Sequence, residues 1–269
     1  MNSLLTSRRG PCHAKAMPKL TTHENGMPIW VDVMVETPEQ HYELRAFLSA
    51  LFDWTWDLGG PEIGSYSLAL HDGAPVFGLG QGEGGQGVAT TYFATRAIDD
   101  TVEQAVALGA TIIMPATPVM ELGSMAWLVD PVGATFGLWQ PGTFQGFGAA
   151  YEPDAPGWFD HVSTSPERAG EFYADLTGHQ LASPDPRTRI LKNGEQWFAS
   201  FSHSQTDEEP RWVPIFVVDS LKRIHEVVPR HGGAIVIDEM PVPGSFLCVF
   251  REPVYGTLMT VMSGGSDLT

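Results

Sequence analysis

The amino-acid sequence predicts an α+β protein made of two tandem copies of one domain, each copy containing two βαβββ modules. Three observations support this prediction: an internal repeat, capped amphipathic helices that follow β-rich segments, and a Pro/Gly turn before the last strand of each copy. The chain has 269 residues, 43% of them hydrophobic and 17% charged. This composition provides a sizeable core and carries too few charges for a disordered chain.

The repeat is visible in short motifs that return in the same order. Trp30-Val31-Asp32 recurs 128 residues later as Trp158-Phe159-Asp160. Phe47-Leu48 matches Phe172-Tyr173, and Asp130-Pro131-Val132-Gly133 returns with one inserted residue as Glu252-Pro253-Val254-Tyr255-Gly256. Matched order with drifting offsets indicates tandem copies separated by loop insertions and deletions.

The repeat sets the predicted boundaries of the chain. We expect a first domain at 27–141, a linker at 142–155 and a second domain at 156–263. The more basic residues 1–25 and the short segment 264–269 are expected to be tails, and Met17 is an alternative start. No apolar stretch of signal-peptide length follows Arg8-Arg9, so we expect no export signal.

The elements of the first copy follow from local patterns. Ile29–Val35 alternates as a strand, and Thr37-Pro38 with Gln40 forms a helix N-cap with a capping-box partner. His71-Asp72-Gly73 indicates a hairpin, and the glycine-rich segment 78–87 is interpreted as a loop at a rim. A second strand and helix follow, at 90–95 and 99–108. Asp130-Pro131-x-Gly133 has the type I turn pattern between two final strands.

The second copy repeats these signals. Ser165 and Pro166 are expected to begin its first helix, and Gly178 is expected to end it. Lys192-Asn193-Gly194 indicates the hairpin. A strand at 215–218 then leads into a helix at 220–228.

The charge balance excludes some partners. The 15 basic and 32 acidic side chains give a formal charge of -17, which opposes phosphate backbones and anionic lipid surfaces. We therefore expect no nucleic acid and no membrane partner. The expected partner is a small molecule, and the expected state is a monomer or homodimer. Two cysteines cannot form a disulfide framework, and reducing cytoplasm is the expected compartment.

Paired βαβββ modules with this turn, together with Trp30-Val31-Asp32, Tyr92-Phe93-Ala94 and the segment 130–140, resemble the vicinal oxygen chelate superfamily. This is the glyoxalase, bleomycin-resistance and extradiol-dioxygenase group. The closer resemblance is to tandem glyoxalase-like proteins of actinobacteria. It implies that each domain curls its sheet into an open cup, and that the cup holds the site.

The resemblance also implies where metal ligands would lie. The implied positions are held by Trp30, Thr90 and Gly137 in the first copy, and by Trp158, Val213 and Thr260 in the second. None of these side chains is a usual ligand of a divalent metal. We therefore expect no metal and no other cofactor.

Strand alternation predicts which side chains face the first cup. Ile29, Val31, Val33 and Val35 suit the helix-packed face, so Trp30, Asp32 and Met34 should face the cup. The candidate ligand-binding residues are Trp30, Met34, Tyr92, Gly137, Trp139 and Trp158. Neighbouring His161 should lie on the opposite face from Asp160, as a partly buried histidine with its hydrogen bonds satisfied, and not as a metal ligand.

Asp32 and Asp160 are the candidate catalytic residues. A carboxylate surrounded by apolar side chains has a raised pKa suited to proton transfer, although such a group can equally be a structural hydrogen-bond acceptor.

Two functions follow from these residues. The first is a protein of secondary metabolism that binds or modifies an aromatic or antibiotic-like small molecule without the usual metal ligands, with binding in the first cup and no turnover. The alternative is a lyase, isomerase or dioxygenase-type enzyme. That enzyme would use a metal on unexpected ligands, or Asp32 or Asp160 as a metal-free acid/base.

Overall fold

The computed structural model describes residues 23–60, 65–85, 87–185, 188–204 and 209–263. They form two mixed sheets of eight strands and four helices, which confirms the predicted α+β fold. Of the predicted tails at 1–25 and 264–269, residues 1–22 and 264–269 lie outside the described residues. Among the residues that are described, no helix is long and apolar enough to cross a bilayer.

The first half of the chain forms one sheet and two helices. Its elements are β1 (Pro28–Val35), α1 (Pro38–Leu51), β2 (Thr55–Leu58), β3 (Ser67–His71), β4 (Ala74–Gln81), β5 (Ala89–Ala94), α2 (Ile98–Ala107), β6 (Thr111–Val119), β7 (Gly123–Val129) and β8 (Thr135–Pro141). The strand order is β2-β3-β4-β1-β5-β8-β7-β6. The central strands β1 and β5 are antiparallel, and each pairs in parallel with the last strand of its own module, β4 or β8.

The second half repeats this arrangement. Its elements are β9 (Pro156–Ser163), α3 (Pro166–Thr177), β10 (Gln180–Asp185), β11 (Thr188–Asn193), β12 (Gln196–His203), β13 (Arg211–Val218), α4 (Leu221–Arg230), β14 (Ala234–Val242), β15 (Ser245–Arg251) and β16 (Leu258–Ser263). The strand order β10-β11-β12-β9-β13-β16-β15-β14 is the same order as in the first sheet.

The helix ends follow the predicted capping residues, with one exception. Thr37 and Gln40 form a complete capping box at α1, and Gly178 ends α3 in the left-handed conformation with φ 74°. Ser165 precedes α3, but its side chain makes no capping hydrogen bond. There, Pro166 at the first helical position needs no partner because proline lacks an N–H.

The interpretation of 78–87 as a loop is wrong at its beginning. Gly78 and Gly80 lie inside β4 and pair with Asp32 and Met34 of β1. Glycine is unfavourable in a strand, but it allows another side chain to lie directly against the backbone. Large neighbours occupy that space here, as described for the site below.

The predicted tail boundary at residue 25 is also too late. His23 Nε2 lies 3.0 Å from the carbonyl oxygen of Phe147, and the amide of Arg96 donates to Asn25 Oδ1 at 3.0 Å. These residues are therefore part of the folded body. The prediction missed them because side-chain to backbone hydrogen bonds leave no periodic pattern in the sequence.

The helices of the two halves pack against each other, α1 against α4 and α2 against α3. One continuous hydrophobic core includes residues of both sheets, with ring contacts such as Phe93 to Trp212 at 5.2 Å and Phe52 to Phe216 at 5.3 Å. The linker segment packs here too, because Phe147 is buried and its amide donates to Ile29 at 2.9 Å.

A buried polar cluster crosses between the halves at Asp130. Its Oδ1 accepts hydrogen bonds from the amides of the following turn, at Val132, Gly133 and Ala134. Its Oδ2 lies 2.8 Å from His161 Nε2 and accepts from the Tyr173 hydroxyl at 3.1 Å. One carboxylate therefore holds its own turn and binds two side chains of the second half.

The matching place on the other side of the molecule is built differently. By the repeat, Val33 and Leu48 stand where His161 and Tyr173 stand in the second half. Together with Glu252 they line a cavity of about 40 Å³. A buried polar cluster therefore joins the two halves at Asp130, whereas apolar side chains and a small cavity occupy the matching place.

Removing the Asp130 carboxylate should strongly destabilise the protein. Asp130→Ala leaves a buried histidine and a buried phenol without their acceptor, which we expect to cost about 3–5 kcal/mol of unfolding free energy. Tyr173→Phe removes one hydrogen bond and should cost about 0.5–1.5 kcal/mol. Urea unfolding measures both. The exposed Asp57→Ala is the control, and equal effects of Asp130→Ala and Asp57→Ala would contradict the role of the cluster.

Candidate functional site

The first sheet brings four of the predicted site residues together on one face. Trp30 and Asp32 alternate with core residues of β1, Trp30 pairs with Tyr92, and Tyr92 pairs with Gly137 of β8. We call this face of the first sheet, with Met34 at its end, the first cup. Asp32 is buried there at 5% exposure.

A chain of hydrogen bonds converges on Asp32. The hydroxyls of Tyr66 and Tyr92 both donate to Asp32 Oδ2, at 3.0 and 3.1 Å. Each hydroxyl in turn accepts from an indole N–H, Tyr66 from Trp30 at 2.7 Å and Tyr92 from Trp127 at 2.8 Å. The other carboxylate oxygen, Oδ1, is buried and has no hydrogen-bond partner within the described part of the chain.

Two glycines make room for the two tyrosines. A Cβ on Gly78 would lie 2.0 Å from the Tyr66 hydroxyl oxygen, and a Cβ on Gly137 would lie 2.1 Å from Tyr92 Cδ1. Heavy atoms cannot approach so closely, so any larger residue at either position would displace a phenol from Asp32. Gly137 therefore acts through the space it leaves, because it has no side chain to contact a ligand.

Burial changes the protonation of Asp32. Removal from water disfavours the charged carboxylate and raises the Asp32 pKa from 3.8 to about 7, although the two tyrosine hydroxyls act in the opposite direction. The pKa values of Tyr66 and Tyr92 are raised well above the usual range, mainly by burial. Near neutral pH, Asp32 is therefore present in both forms. Oδ1 can accept a hydrogen bond when the carboxylate is charged, and it can donate one when the group is protonated.

The remaining predicted residues of the first cup extend an aromatic wall. Met34 is half-buried, and its sulfur lies beside Gly80 together with the Tyr66 ring. Trp139 is buried, and its indole donates to the Phe144 carbonyl at 3.1 Å. The Phe144 ring meets Trp30 edge-on at 4.8 Å.

Tyr66 and Phe144 were not among the residues predicted from the sequence. Tyr66 precedes β3, and Phe144 lies in the linker segment, so neither belongs to a strand whose alternation would place it. The available signal was the pair of glycines in β4. A glycine inside a strand often marks a place where another group approaches the backbone.

The second sheet has a smaller version of the same network. The Trp158 indole donates to Ser200 Oγ at 2.8 Å, and the hydroxyls of Ser200 and Ser202 donate to Asp160 Oδ1 at 2.7 and 3.0 Å. We call this face the second cup. Burial raises the Asp160 pKa to about 6, with the serine hydroxyls, His161 and Arg211 acting in the opposite direction.

His161 lies where strand alternation predicted it, on the face opposite Asp160. It is fully buried, where partial burial was expected, and its Nε2 is bound to Asp130. Its Nδ1 has no hydrogen-bond partner within the described residues, so the expectation of satisfied hydrogen bonds is wrong for this atom. Its role in the contact between the halves leaves it unable to reach either cup.

The positions implied for metal ligands do not fit a divalent metal. Trp30 and Trp158 use their indole N–H groups as hydrogen-bond donors. Gly137 has no side chain and Val213 is apolar, so neither can bind a metal through its side chain. Thr90 and Thr260 offer only neutral hydroxyls. Within the described ranges, no three His, Cys, Asp or Glu side chains are grouped to hold a metal ion. Hydroxyl groups already bind Asp32 Oδ2 and Asp160 Oδ1.

The chain has relatives of known sequence. It is 28% identical over 262 residues to CFP32 of Mycobacterium tuberculosis, named as a candidate glyoxylase, with 91% of this chain and 98% of the relative covered. It is also 28% identical over 248 residues to the anthracycline biosynthesis protein DnrV of Streptomyces peucetius, covering 83% of this chain and 88% of DnrV. No protein-family profile matches the chain.

Solved structures share the fold. The Mn(II)-bound glyoxalase of Novosphingobium aromaticivorans aligns with a TM-score of 0.63 at 13% identity, covering 88% of this chain and 82% of the other. The 2,3-dioxygenase LapB of Pseudomonas sp. KL28 aligns with a TM-score of 0.60 at 13% identity, covering 89% and 92%. Together with the sequence relatives, these matches confirm the resemblance to the vicinal oxygen chelate superfamily, the glyoxalase and extradiol-dioxygenase group.

The raised pKa values can be tested by titration. ¹³C NMR of aspartate carboxyl carbons should show one midpoint near 7 that is lost in Asp32→Asn and one near 6 that is lost in Asp160→Asn. A folded-state midpoint near 4 for Asp32 would contradict its burial.

The same shift should affect stability. The folded protein keeps the Asp32 proton between pH 3.8 and about 7, a range in which the unfolded chain loses it. The unfolding free energy contributed by this group therefore falls as the pH rises through that range. Urea unfolding across this pH range should show a shallower decline in Asp32→Asn.

Proposed function

We propose that the first cup binds a planar aromatic small molecule that carries a hydroxyl or carbonyl group, without using a divalent metal. One observation supports this most directly: a buried carboxylate with one free oxygen lies among hydrogen-bonded aromatic side chains. Asp32 Oδ1 supplies the polar contact, and the rings supply flat apolar surface.

The wall of the cup suits an aromatic ligand. Trp127, Tyr66, Phe144 and Met34 are all half-buried, so part of each side chain is available for contact. Aromatic rings pair favourably in stacked or edge-on geometry, and a methionine sulfur also contacts rings favourably. Because the indoles and phenols are held by hydrogen bonds, these surfaces are ordered before a ligand binds, which lowers the entropic cost of binding.

The free oxygen of Asp32 favours a ligand with a matching polar group. A buried polar atom without a partner costs about 1–3 kcal/mol, and a ligand that pairs with it removes this cost. A phenol can donate to the carboxylate, and a carbonyl can accept from the protonated acid. Because the Asp32 pKa is raised to about 7, the carboxyl group is partly neutral at neutral pH and suits a neutral ligand that bears a phenol or a carbonyl.

The relatives support this class of ligand. DnrV is named as an anthracycline biosynthesis protein, and an anthracycline has a hydroxyanthraquinone core that is planar and carries both phenols and carbonyls. We therefore propose a role in the metabolism of an aromatic natural product. Quinizarin, 1,4-dihydroxyanthraquinone, is a probe with the same groups.

A second candidate function is metal-free proton transfer, as in a lyase or isomerase. The specific observation is that the Asp32 pKa of about 7 lies close to neutral pH, where a general acid/base works best. Asp160 is the corresponding group of the second cup. This function requires conversion of the ligand as well as binding.

Quinizarin binding tests the proposal. Absorbance titration should show saturable binding by the wild type, weakened about threefold to tenfold in Asp32→Asn because one hydrogen bond is altered. Trp127→Phe should also weaken binding, because it removes the indole donor to Tyr92. Asp160→Asn and the exposed Trp197→Phe are the controls and should bind as the wild type does.

Three outcomes would change the conclusion. Absence of saturable binding would contradict the proposed ligand class, and loss of binding in Asp160→Asn alone would move the site to the second cup. A new product by chromatography that disappears in Asp32→Asn, with binding intact, would favour the enzyme. In that case the rate should fall by about 10²–10⁴-fold.

Metal content is a separate prediction. Since the positions implied for ligands carry indoles, hydroxyls, a glycine and a valine, the dialysed protein should hold less than stoichiometric transition metal, and EDTA should leave quinizarin binding unchanged. Elemental analysis measures the metal content, and the absorbance titration measures quinizarin binding with and without EDTA. About one Zn, Mn, Fe or Ni per domain would contradict the metal-free proposal.

A further inference from the structure

Tyr255 is the extra residue in the second of the two repeated turns. The first turn, at 130–133, has four residues, and the second, at 252–256, has five. Glu252 holds the second turn by accepting hydrogen bonds from the amides of Val254, Tyr255 and Thr257. The longer turn lets the Tyr255 side chain reach the first half of the molecule.

The Tyr255 hydroxyl is bound at the beginning of α1. It accepts from the amide of Glu36 at 3.0 Å and donates to Gln40 Oε1 at 2.7 Å, with the Gly85 carbonyl 3.3 Å away. Gln40 Oε1 also accepts from the Thr37 amide at 2.9 Å as part of the capping box. A residue of the second half thus completes the hydrogen bonds of a helix start in the first half.

The Tyr255 ring packs against the segment that connects the two modules of the first sheet. A Cβ on Gly87 would lie 2.3 Å from Tyr255 Cδ2, and Gly87 has a left-handed φ of 68°. Only glycine combines this conformation with so close an approach. The Tyr255 ring can therefore pack in this position only because residue 87 is a glycine.

The same glycine segment holds the end of β1. The amide of Gly87 donates to the Met34 carbonyl at 3.0 Å, and the amide of Gly82 donates to the Val35 carbonyl at 2.9 Å. A Cβ on Gly85 would lie 2.4 Å from the Val35 carbonyl carbon. These contacts leave little room for the last residues of β1 to move while the glycines stay in place.

We propose that Tyr255 is a positioning residue through which the second half of the chain sets the place of Met34 in the first cup. The path consists of the Tyr255 hydroxyl and ring, the backbone at Gly85 and Gly87, and the end of β1. The consequence for ligand binding rests on the function proposed above, whereas the placement of Met34 does not. The corresponding turn at Asp130 lacks the inserted residue, so we expect positioning of this kind in the first cup, through Tyr255.

Methyl NMR tests the placement directly. In protein labelled at methionine methyl groups, Tyr255→Phe should shift the Met34 signal, which is assigned by its loss in Met34→Leu. The Met125 signal should stay in place, because Met125 lies on β7 at the other side of the same cup. The Glu36 amide also donates to Gln40 Oε1 at 3.2 Å, so loss of the Tyr255 acceptor should accelerate its hydrogen exchange by about threefold, the lower end of the effect of one ordinary hydrogen bond.

Matched variants separate positioning from general destabilisation. Tyr42 lies on α1, the helix whose start Tyr255 contacts, and its side chain is 64% exposed. Tyr42→Phe should therefore leave the Met34 signal and the exchange of the Glu36 amide unchanged. Tyr255→Ala also removes the ring beside Gly87 and should produce larger changes than Tyr255→Phe at both places. Thermal melting confirms that each variant is folded under the conditions of measurement.

Quinizarin dissociation provides the functional test. Tyr255→Phe should release quinizarin about threefold to tenfold faster, because Met34 is less firmly placed. Unchanged Met34 and Glu36 signals would overturn the proposal. Shifted signals with unchanged quinizarin dissociation would support the placement of Met34 by Tyr255 and overturn its consequence for ligand binding. Failure of the wild type to bind quinizarin would count against the proposed function, while the Met34 and Glu36 measurements would still decide whether Tyr255 positions Met34.

Discussion

The contact made by Asp130 is the interaction on which the arrangement of the two halves depends. Its carboxylate accepts from three amides of its own turn, and also binds His161 and Tyr173 of the second half. Hydrogen-bond donors reduce the cost of burying a carboxylate, and here both halves provide them. Around this cluster the aromatic core continues from one sheet to the other, so the two sheets share one hydrophobic interior.

The repeat is symmetric in its backbone and asymmetric in its chemistry. On the side opposite the Asp130 cluster, Val33 and Leu48 leave a small cavity, and Glu252 uses its carboxylate within its own turn. On that side Tyr255, the inserted residue, adds hydrogen bonds from the second half to the first. The inserted residue thus adds, on that side, hydrogen bonds between the second half and the segments beside the end of β1.

The two cups show how the same scaffold can hold different groups. Both have a tryptophan that donates to a hydroxyl, which donates to an aspartate, but the hydroxyl belongs to Tyr66 in the first cup and to Ser200 in the second. The tyrosine fits only because Gly78 leaves the space above its strand. The first cup consequently has the larger aromatic surface and the more strongly raised aspartate pKa, which is why the proposed ligand site is placed there.

The sequence by itself determined the fold class and the repeat, because strand alternation, helix caps and turn residues are local signals. It also placed Trp30, Asp32 and Met34 on one face, since alternation has a strict period of two. Only the tertiary structure decided that Tyr66 reaches Asp32 and that His161 meets Asp130. Those contacts join segments far apart in the chain, and their geometry depends on how the strands pair and how the halves pack, which no local pattern records.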